Sequence, residues 1–90
     1  MLPKHRPPVT PGEILREEYL TPLGMTQSEL AKRMGVGVQT VNLLVNDRRS
    51  VTAETAVRLG HVFRTSPQFW MNAQVACDLW HAQTKLATGS

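Results

Sequence analysis

The stretch that decides the fold is TQSELAKRMGVGVQTVNLLV, residues 26–45, because it predicts two short helices joined by a tight turn. Thr26 and Glu29 are spaced as a capping box, which predicts the start of the first of these helices. Gly35 predicts its end, since glycine just past a helix takes the left-handed conformation at little cost. A second helix begins a few residues later. This spacing is typical of a helix-turn-helix unit, whose second helix can enter the DNA major groove.

The second of these helices has apolar side chains on more of its surface than one buried stripe requires. At about 100° per residue, Val41, Leu44 and Val45 share one side, which predicts a core contact. The opposite side carries Gln39, Asn42, Leu43 and Asn46. Amide side chains bind adenine bidentately and an aliphatic side chain packs on a thymine methyl group. This face is therefore suited to reading DNA that contains A·T pairs, with a plain solvated polar face as the alternative.

Three further helices are indicated outside this unit. Thr10-Pro11-Gly12-Glu13 is a capping box that opens a helix to about Leu20, followed by Pro22 and Gly24. A fourth helix starts after Thr52, and a fifth starts at Ser66-Pro67 and runs to about Thr84. No strand pattern appears. The sequence thus predicts an all-α, five-helix fold.

The domain organisation follows from these elements. Residues 1–9 hold three prolines and no periodicity, which favours an extended N-terminal arm. Residues 10–84 form one predicted domain, with the helix-turn-helix at about 26–46 and a C-terminal helix at about 67–84. Ninety residues give one small core with limited burial, so a partner subunit is plausible on physical grounds.

Composition limits the class of protein further. The chain is 41% hydrophobic and 19% charged, as in ordinary globular domains, and its net charge is +3. Positive charge is concentrated in residues 32–64, whereas residues 13–20 are acidic. No apolar stretch is long enough to cross a bilayer and no secretory signal is seen, so we expect a cytoplasmic protein without membrane contact.

No catalytic or metal-binding pattern is present in the sequence. His5, His61 and His81 lack the spacing of metal ligands, and Ser28 and Ser66 are better explained as helix-start residues than as nucleophiles. Cys77 is the only cysteine, and its helical setting favours a buried hydrophobic role. We expect neither catalysis nor a cofactor.

The central stretch TQSELAKRMGVGVQTVNLLVNDRR resembles the helix-turn-helix of Cro and the phage repressors. Its flanks, PGEILREEYLTPLGMTQ and VTAETAVRLGHVFRTSPQFWMNAQVACDL, resemble HigA-type antitoxins, also known as virulence-associated protein I. The likeness covers roughly residues 9–80. It implies a five-helix, lambda-repressor-like domain that dimerises, represses its own operon at a palindromic operator, and neutralises a HigB-like toxin, a RelE-like mRNA endonuclease.

The resemblance also implies a set of DNA-contacting residues. Those of the recognition helix are Gly37, Val38, Gln39, Thr40, Asn42 and Leu43. Contacts to the DNA backbone are expected from Gln27, Asn46, Arg48 and Arg49. Two residues depart from the family pattern. Val38 stands where many relatives have a polar or basic residue, and Asp47 replaces the usual glycine, where its charge is expected to repel phosphate and weaken the Arg48 contact.

Two protein interfaces are expected as well. The acidic outer face of the first helix, Glu13, Arg16 and Glu17, is the candidate toxin contact, extended by the arm. The last helix is the candidate dimer seam, with Trp70, Ala73, Cys77 and Trp80 as its residues. Trp70 and Trp80 are nearly opposite in helical phase, so one is expected in the core and the other near the seam.

Two other functions remain open at this point. One is a stand-alone helix-turn-helix repressor without a toxin partner, although a regulator that senses a small ligand normally needs an effector domain that 90 residues do not supply. The other is a helical protein-binding scaffold without DNA affinity, in which Gln39 and Arg48 would have no role.

Overall fold

The computed structural model describes residues 6–89, and in this range it contains helices and no strand. We number five helices along the chain. Helix α1 has three consecutive segments, Pro11–Ile14, Leu15–Leu20 and Thr21–Leu23; it is followed by α2 (Gln27–Met34), α3 (Val38–Val45), α4 (Ala53–Phe63) and α5 (Pro67–Gly89). The predicted all-α, five-helix architecture is confirmed. Of the expected N-terminal arm, residues 1–5, including His5, lie outside the described residues, and residues 7–9 precede α1 without regular structure.

Helix α1 extends past the predicted end at Leu20 because its middle segment is π-helical. The Thr21 backbone N–H donates to the Arg16 carbonyl, five residues back instead of four. In an α-helix, the ring of Pro22 would collide with the carbonyl four residues earlier, and the wider turn relieves this collision. Residues five apart then share a side of the helix, so Leu15 and Leu20 are both buried.

The ends of the helices are fixed by the residues that the sequence indicated. The Thr26 hydroxyl accepts from the Glu29 N–H at 3.1 Å, and the Glu29 carboxylate accepts from the Thr26 N–H at 2.9 Å, so the capping box is confirmed. These hydrogen bonds, the backbone one first, lower the pKa of the Glu29 carboxyl. Gly24 and Gly35 end α1 and α2 with φ of +61° and +74°. These features fix where α1 ends and where α2 begins and ends.

One apolar core is shared by all five helices. Its buried members are Leu15, Leu20, Leu30, Ala31, Met34, Val41, Leu44, Val45, Val51, Ala56, Leu59 and Trp70. Val41, Leu44 and Val45 are among them, so the predicted inner face of α3 is confirmed. Burial of this stripe leaves the opposite side of α3 at the surface, where the candidate site lies.

Helix α5 continues to Gly89, beyond the predicted end near Thr84, since no helix-breaking residue precedes that glycine. Its N-terminal part packs against α4, and Cys77 is buried as expected. Further along, Val75, Leu79 and Leu86 are 46%, 48% and 76% exposed. In residues 6–89, no helix has the length and apolar character needed to cross a bilayer.

Candidate nucleic-acid interface

The turn between α2 and α3 is held from two directions. Within the turn, the Val36 N–H donates to the Ala31 carbonyl at 3.0 Å and the Gly35 N–H donates to the Lys32 carbonyl at 3.3 Å. From outside it, the Arg58 guanidinium on α4 donates to the Met34 carbonyl at 2.7 Å and pairs with Glu54. Because Arg58 binds the last carbonyl of α2, α4 fixes the angle at which α3 leaves the turn. Sequence reasoning missed this role, since a surface arginine four residues after a glutamate is first explained as a helix pair.

The outward side of α3 presents amide side chains as the pattern predicted. Gln39 and Asn42 are exposed, and the Asn42 side-chain N–H donates to Gln27 Oε1 at 3.1 Å. This hydrogen bond joins the N-terminus of α2 to the middle of α3 and orients the Gln27 amide. The Gln27 amide nitrogen therefore remains available as a donor at the edge of the exposed face, where a phosphate contact is expected.

The apolar residue that this face exposes most is Val38. Its side chain is 50% exposed, whereas Leu43, on the same side as the amides, is half-buried, as is Thr40. The pattern predicted that Leu43 faces outward with the amides, and its partial burial was not predicted because periodicity gives a direction and not the covering by neighbouring segments. Gly37 caps the N-terminus of α3 without a side chain, so the start of the helix is sterically open.

Two arginines with unpaired side chains follow α3 in the sequence. Arg48 and Arg49 are exposed, and neither side chain has a hydrogen-bond or ion-pair partner in the described part of the chain. Asn46, in contrast, uses its side-chain amide to donate to the Asn42 carbonyl at 2.9 Å, closing the end of α3. The arginines supply positive charge at one end of the amide face, as a phosphate contact requires.

The Asp47 side chain is hydrogen-bonded to another helix. Its carboxylate accepts hydrogen bonds from the Thr10 hydroxyl at 2.6 Å and from the Gly12 N–H at 2.9 Å, both at the N-terminus of α1. The expectation that Asp47 acts mainly by repelling phosphate near Arg48 is therefore revised, because these donors and the positive end of the helix dipole already engage its charge. Sequence reasoning had no signal for a contact across 37 residues.

The candidate toxin-contact face of α1 is exposed, but one of its members has a second partner. Glu13 and Glu17 face solvent, and Arg16 pairs with Glu17 at 3.1 Å. The Arg16 guanidinium also donates to the Val45 carbonyl at 3.1 Å. Arg16 therefore connects this face to the C-terminal end of α3, a link that spacing within α1 did not indicate.

The candidate dimer-seam residues differ in how deeply the structure buries them. Trp70 is fully buried within the single chain, so the expectation that it contributes to the seam was wrong. Cys77 is also buried, so it offers little surface to a partner. Burial also raises the pKa of its thiol. Ala73 and Trp80 remain half-buried. The exposed apolar residues of α5 are instead Phe69, Val75, Leu79 and Leu86. The last three form a row whose spacing of four and then seven residues was visible in the sequence.

Comparisons with known proteins agree with this geometry. The helix-turn-helix family matches residues 15–70. The Escherichia coli K12 protein called "Uncharacterized HTH-type transcriptional regulator YbaQ" is 45% identical over 92% of this chain and 74% of its own length. "Antitoxin HigA-1" of Vibrio cholerae is 41% identical over 89% of this chain and 75% of its own length.

A solved structure extends the likeness to a DNA complex. The Pseudomonas aeruginosa antitoxin HigA, solved with the higBA promoter, has a TM-score of 0.80 and 43% identity, over 91% of this chain and 87% of that one. Fold, helix positions and sequence thus agree over nearly the whole domain. The chain belongs to the helix-turn-helix family, among the relatives that include the HigA antitoxins.

Proposed function

We propose that this protein is an antitoxin that binds its own operator as a dimer, represses its operon and neutralises a HigB-like toxin. The observation that carries the DNA-binding part is the exposed amide face of α3, flanked by two unpaired arginines. The P. aeruginosa relative in complex with its promoter supports this part. The alternative is a stand-alone repressor with the same DNA interface and no toxin.

In this proposal, α3 lies in the major groove and the flanking residues contact phosphates. Gln39 reads a base edge, since its amide is exposed and accepts no hydrogen bond in the described residues. Val38 packs on a thymine methyl group near the N-terminus of α3, with Leu43 and Thr40 at the edge of the contact. Gln27, Asn46, Arg48 and Arg49 follow the DNA backbone and fix the register of the helix.

Replacing Gln39 with alanine tests the reading role. We expect a loss of about 1–3 kcal/mol at the cognate operator and a weaker preference for it over unrelated DNA. Arg49→Ala is the matched control, because losing a phosphate contact weakens all DNA about equally and lowers the salt dependence of binding. Titrations of each variant with operator and scrambled duplexes measure both. Unchanged affinity and preference in Gln39→Ala would remove α3 from the reading role.

A two-fold dimer is required for useful specificity. One recognition helix covers only a few base pairs, so two copies are expected on a palindrome with half-sites about 34 Å apart. We place the seam on Val75, Leu79 and Leu86, with Trp80 beside them, because an exposed apolar row on one helix is costly unless covered. Sedimentation is expected to give two chains per operator, and a single chain on DNA at micromolar concentration would contradict the dimer.

The toxin is proposed to bind the outer face of α1. A toxin that handles mRNA is expected to be basic, and Glu13 and Glu17 are exposed carboxylates on this face. Arg16 is held by Glu17 and by the Val45 carbonyl, so it contributes as a fixed part of the surface and not as a free side chain. Opposite charges across such a contact chiefly accelerate association.

Reversal of these charges tests the toxin contact. In Glu13→Lys/Glu17→Lys, we expect the association rate with the toxin to fall by at least about tenfold at low salt. Operator binding should be retained, because the change only adds positive charge. The neutral variant Glu13→Gln/Glu17→Gln should show an intermediate rate in the same stopped-flow assay. Neutralisation by the reversed variant at equal stoichiometry and an unchanged rate would exclude this face.

A further inference from the structure

The C-terminal end of α3 has a backbone geometry that determines where the next residues go. The Asp47 N–H donates to the Leu44 carbonyl at 3.1 Å and the Arg48 N–H donates to the Leu43 carbonyl at 2.8 Å, the pattern of a Schellman motif. Asp47 occupies the left-handed position of this motif, with φ of +56°. Glycine is the usual residue there, and a residue with a side chain adopts this conformation at some cost. Arg48 and Arg49 leave the helix directly after it.

The Asp47 side chain holds this conformation in place. Its two oxygens accept from the Thr10 hydroxyl and the Gly12 N–H, at 2.6 and 2.9 Å. The Thr10 hydroxyl in turn accepts from the Glu13 N–H at 3.0 Å, so the carboxylate joins the cap of α1. The Gly12 N–H would otherwise be one of the unpaired donors at the start of a helix. The end of α3 is thereby fixed to the start of α1 by a side chain in place of the usual glycine.

We propose that Asp47 is a positioning residue for operator binding: it touches no DNA, and through its hydrogen bonds to α1 it fixes the direction in which Arg48 and Arg49 leave α3. This inference rests on the DNA binding proposed above. Both arginine side chains are long and unpaired in residues 6–89, so only the backbone that carries them restricts where their guanidinium groups lie. Loss of the carboxylate frees that backbone without removing either arginine.

The sign of the effect separates positioning from simple charge repulsion. Asp47→Gly is compatible with the positive φ, so the fold is retained. Without the carboxylate, the end of α3 can adopt other conformations besides this one. If the carboxylate only repelled phosphate, this variant would bind all DNA more tightly, since it gains one unit of positive charge. If Asp47 positions the arginines, the variant binds DNA more weakly and with a smaller salt slope despite that gain.

The experiment compares wild type, Asp47→Gly and Asp47→Asn on the operator and on a scrambled duplex of equal length, from low to high salt. We expect Asp47→Gly to lower the affinity for both duplexes by about tenfold and the salt slope by about one, as for a lost phosphate contact. Asp47→Asn keeps an oxygen to accept from the Gly12 N–H and should stay within about threefold of wild type. The same substitution in an Arg48→Ala/Arg49→Ala background should lower the affinity no further, because the residues it acts through are gone.

Two results overturn the inference. One is tighter binding of both duplexes by Asp47→Gly, which would assign Asp47 to repulsion alone. The other is an equal fall in affinity with and without the two arginines, which would assign the effect to general loosening of the fold. Wild-type protein that shows no preference for the operator would instead refute the proposed function itself, so the two failures are distinguishable.

Discussion

Gly12→Ala is expected to lower the free energy of unfolding by about 2–3 kcal/mol, the cost of forcing a methyl group into filled space. A Cβ atom at this position would lie 2.6 Å from the Leu44 carbonyl, the Val45 carbonyl and Asp47 Oδ1. Two of these atoms are backbone, so they cannot move aside as a flexible side chain would. The methyl group would therefore push α1 away from the end of α3, and operator affinity should fall together with stability.

Gly37→Ala provides the matched control for this substitution. A Cβ atom on Gly37 would meet nothing within 4 Å, and its φ of −74° suits any residue. Its cost is expected to stay below about 1 kcal/mol, the loss of a glycine at a helix cap. Urea unfolding followed by circular dichroism measures both variants. Equal midpoints would show that the approach of α1 to α3 is not tight in solution.

Trp70→Ala is expected to have the larger effect, about 3–5 kcal/mol. Trp70 is fully buried, and its indole N–H donates to the Thr65 hydroxyl at 2.7 Å. Its ring lies 5.5 Å from Tyr19 and 5.1 Å from Phe69, measured between centroids. Small domains have total stabilities of about 5–15 kcal/mol, so the variant should be largely unfolded or poorly packed at 37 °C.

Trp80→Ala is the control that separates the effect of losing a core tryptophan from the effect of losing any tryptophan. Trp80 is half-buried and outside the core cluster, so its removal should leave the unfolding of the single chain within about 1 kcal/mol of wild type. Trp70→Phe should fall between, since it keeps an aromatic ring but leaves the Thr65 hydroxyl without its donor. Calorimetry at low protein concentration compares all three. A Trp80→Ala variant as unstable as Trp70→Ala would contradict the core assigned here.

Local signals in the sequence were sufficient for most of the fold. Thr26 with Glu29, and Gly35 after them, determine backbone hydrogen bonds within a few residues, so the ends of α2 followed directly from residue types. Periodicity predicted the buried stripe of α3, because this pattern depends only on residues within the helix itself. The family resemblance added the arrangement of the five helices, which short-range patterns do not specify.

Contacts between distant segments were what the sequence did not reveal. From the sequence, Asp47 was expected to repel the DNA backbone, because nothing near it in sequence indicates that Thr10 and Gly12 lie against it. Arg16 and Arg58 appeared as ordinary surface charges, although each donates to a carbonyl at the end of another helix. For the tryptophans, helical phase separated Trp70 from Trp80 but gave no means of deciding which one faced the core.

The π-helical segment of α1 restricts how the length of this protein can vary during evolution. Gly12, before the segment, is fixed against α3, and Leu20, the last residue of the segment, is fixed in the core. Deleting one residue within the segment would let it close into an ordinary α-helix, in which residues four apart share a side, so both ends would keep their facing. Inserting one residue would instead rotate one end against the other by about 100°. One of the two contacts would then be lost. Among related chains, a one-residue gap within residues 15–20 is therefore expected where the proline corresponding to Pro22 is also absent, and a one-residue insertion there should be far more damaging than most substitutions.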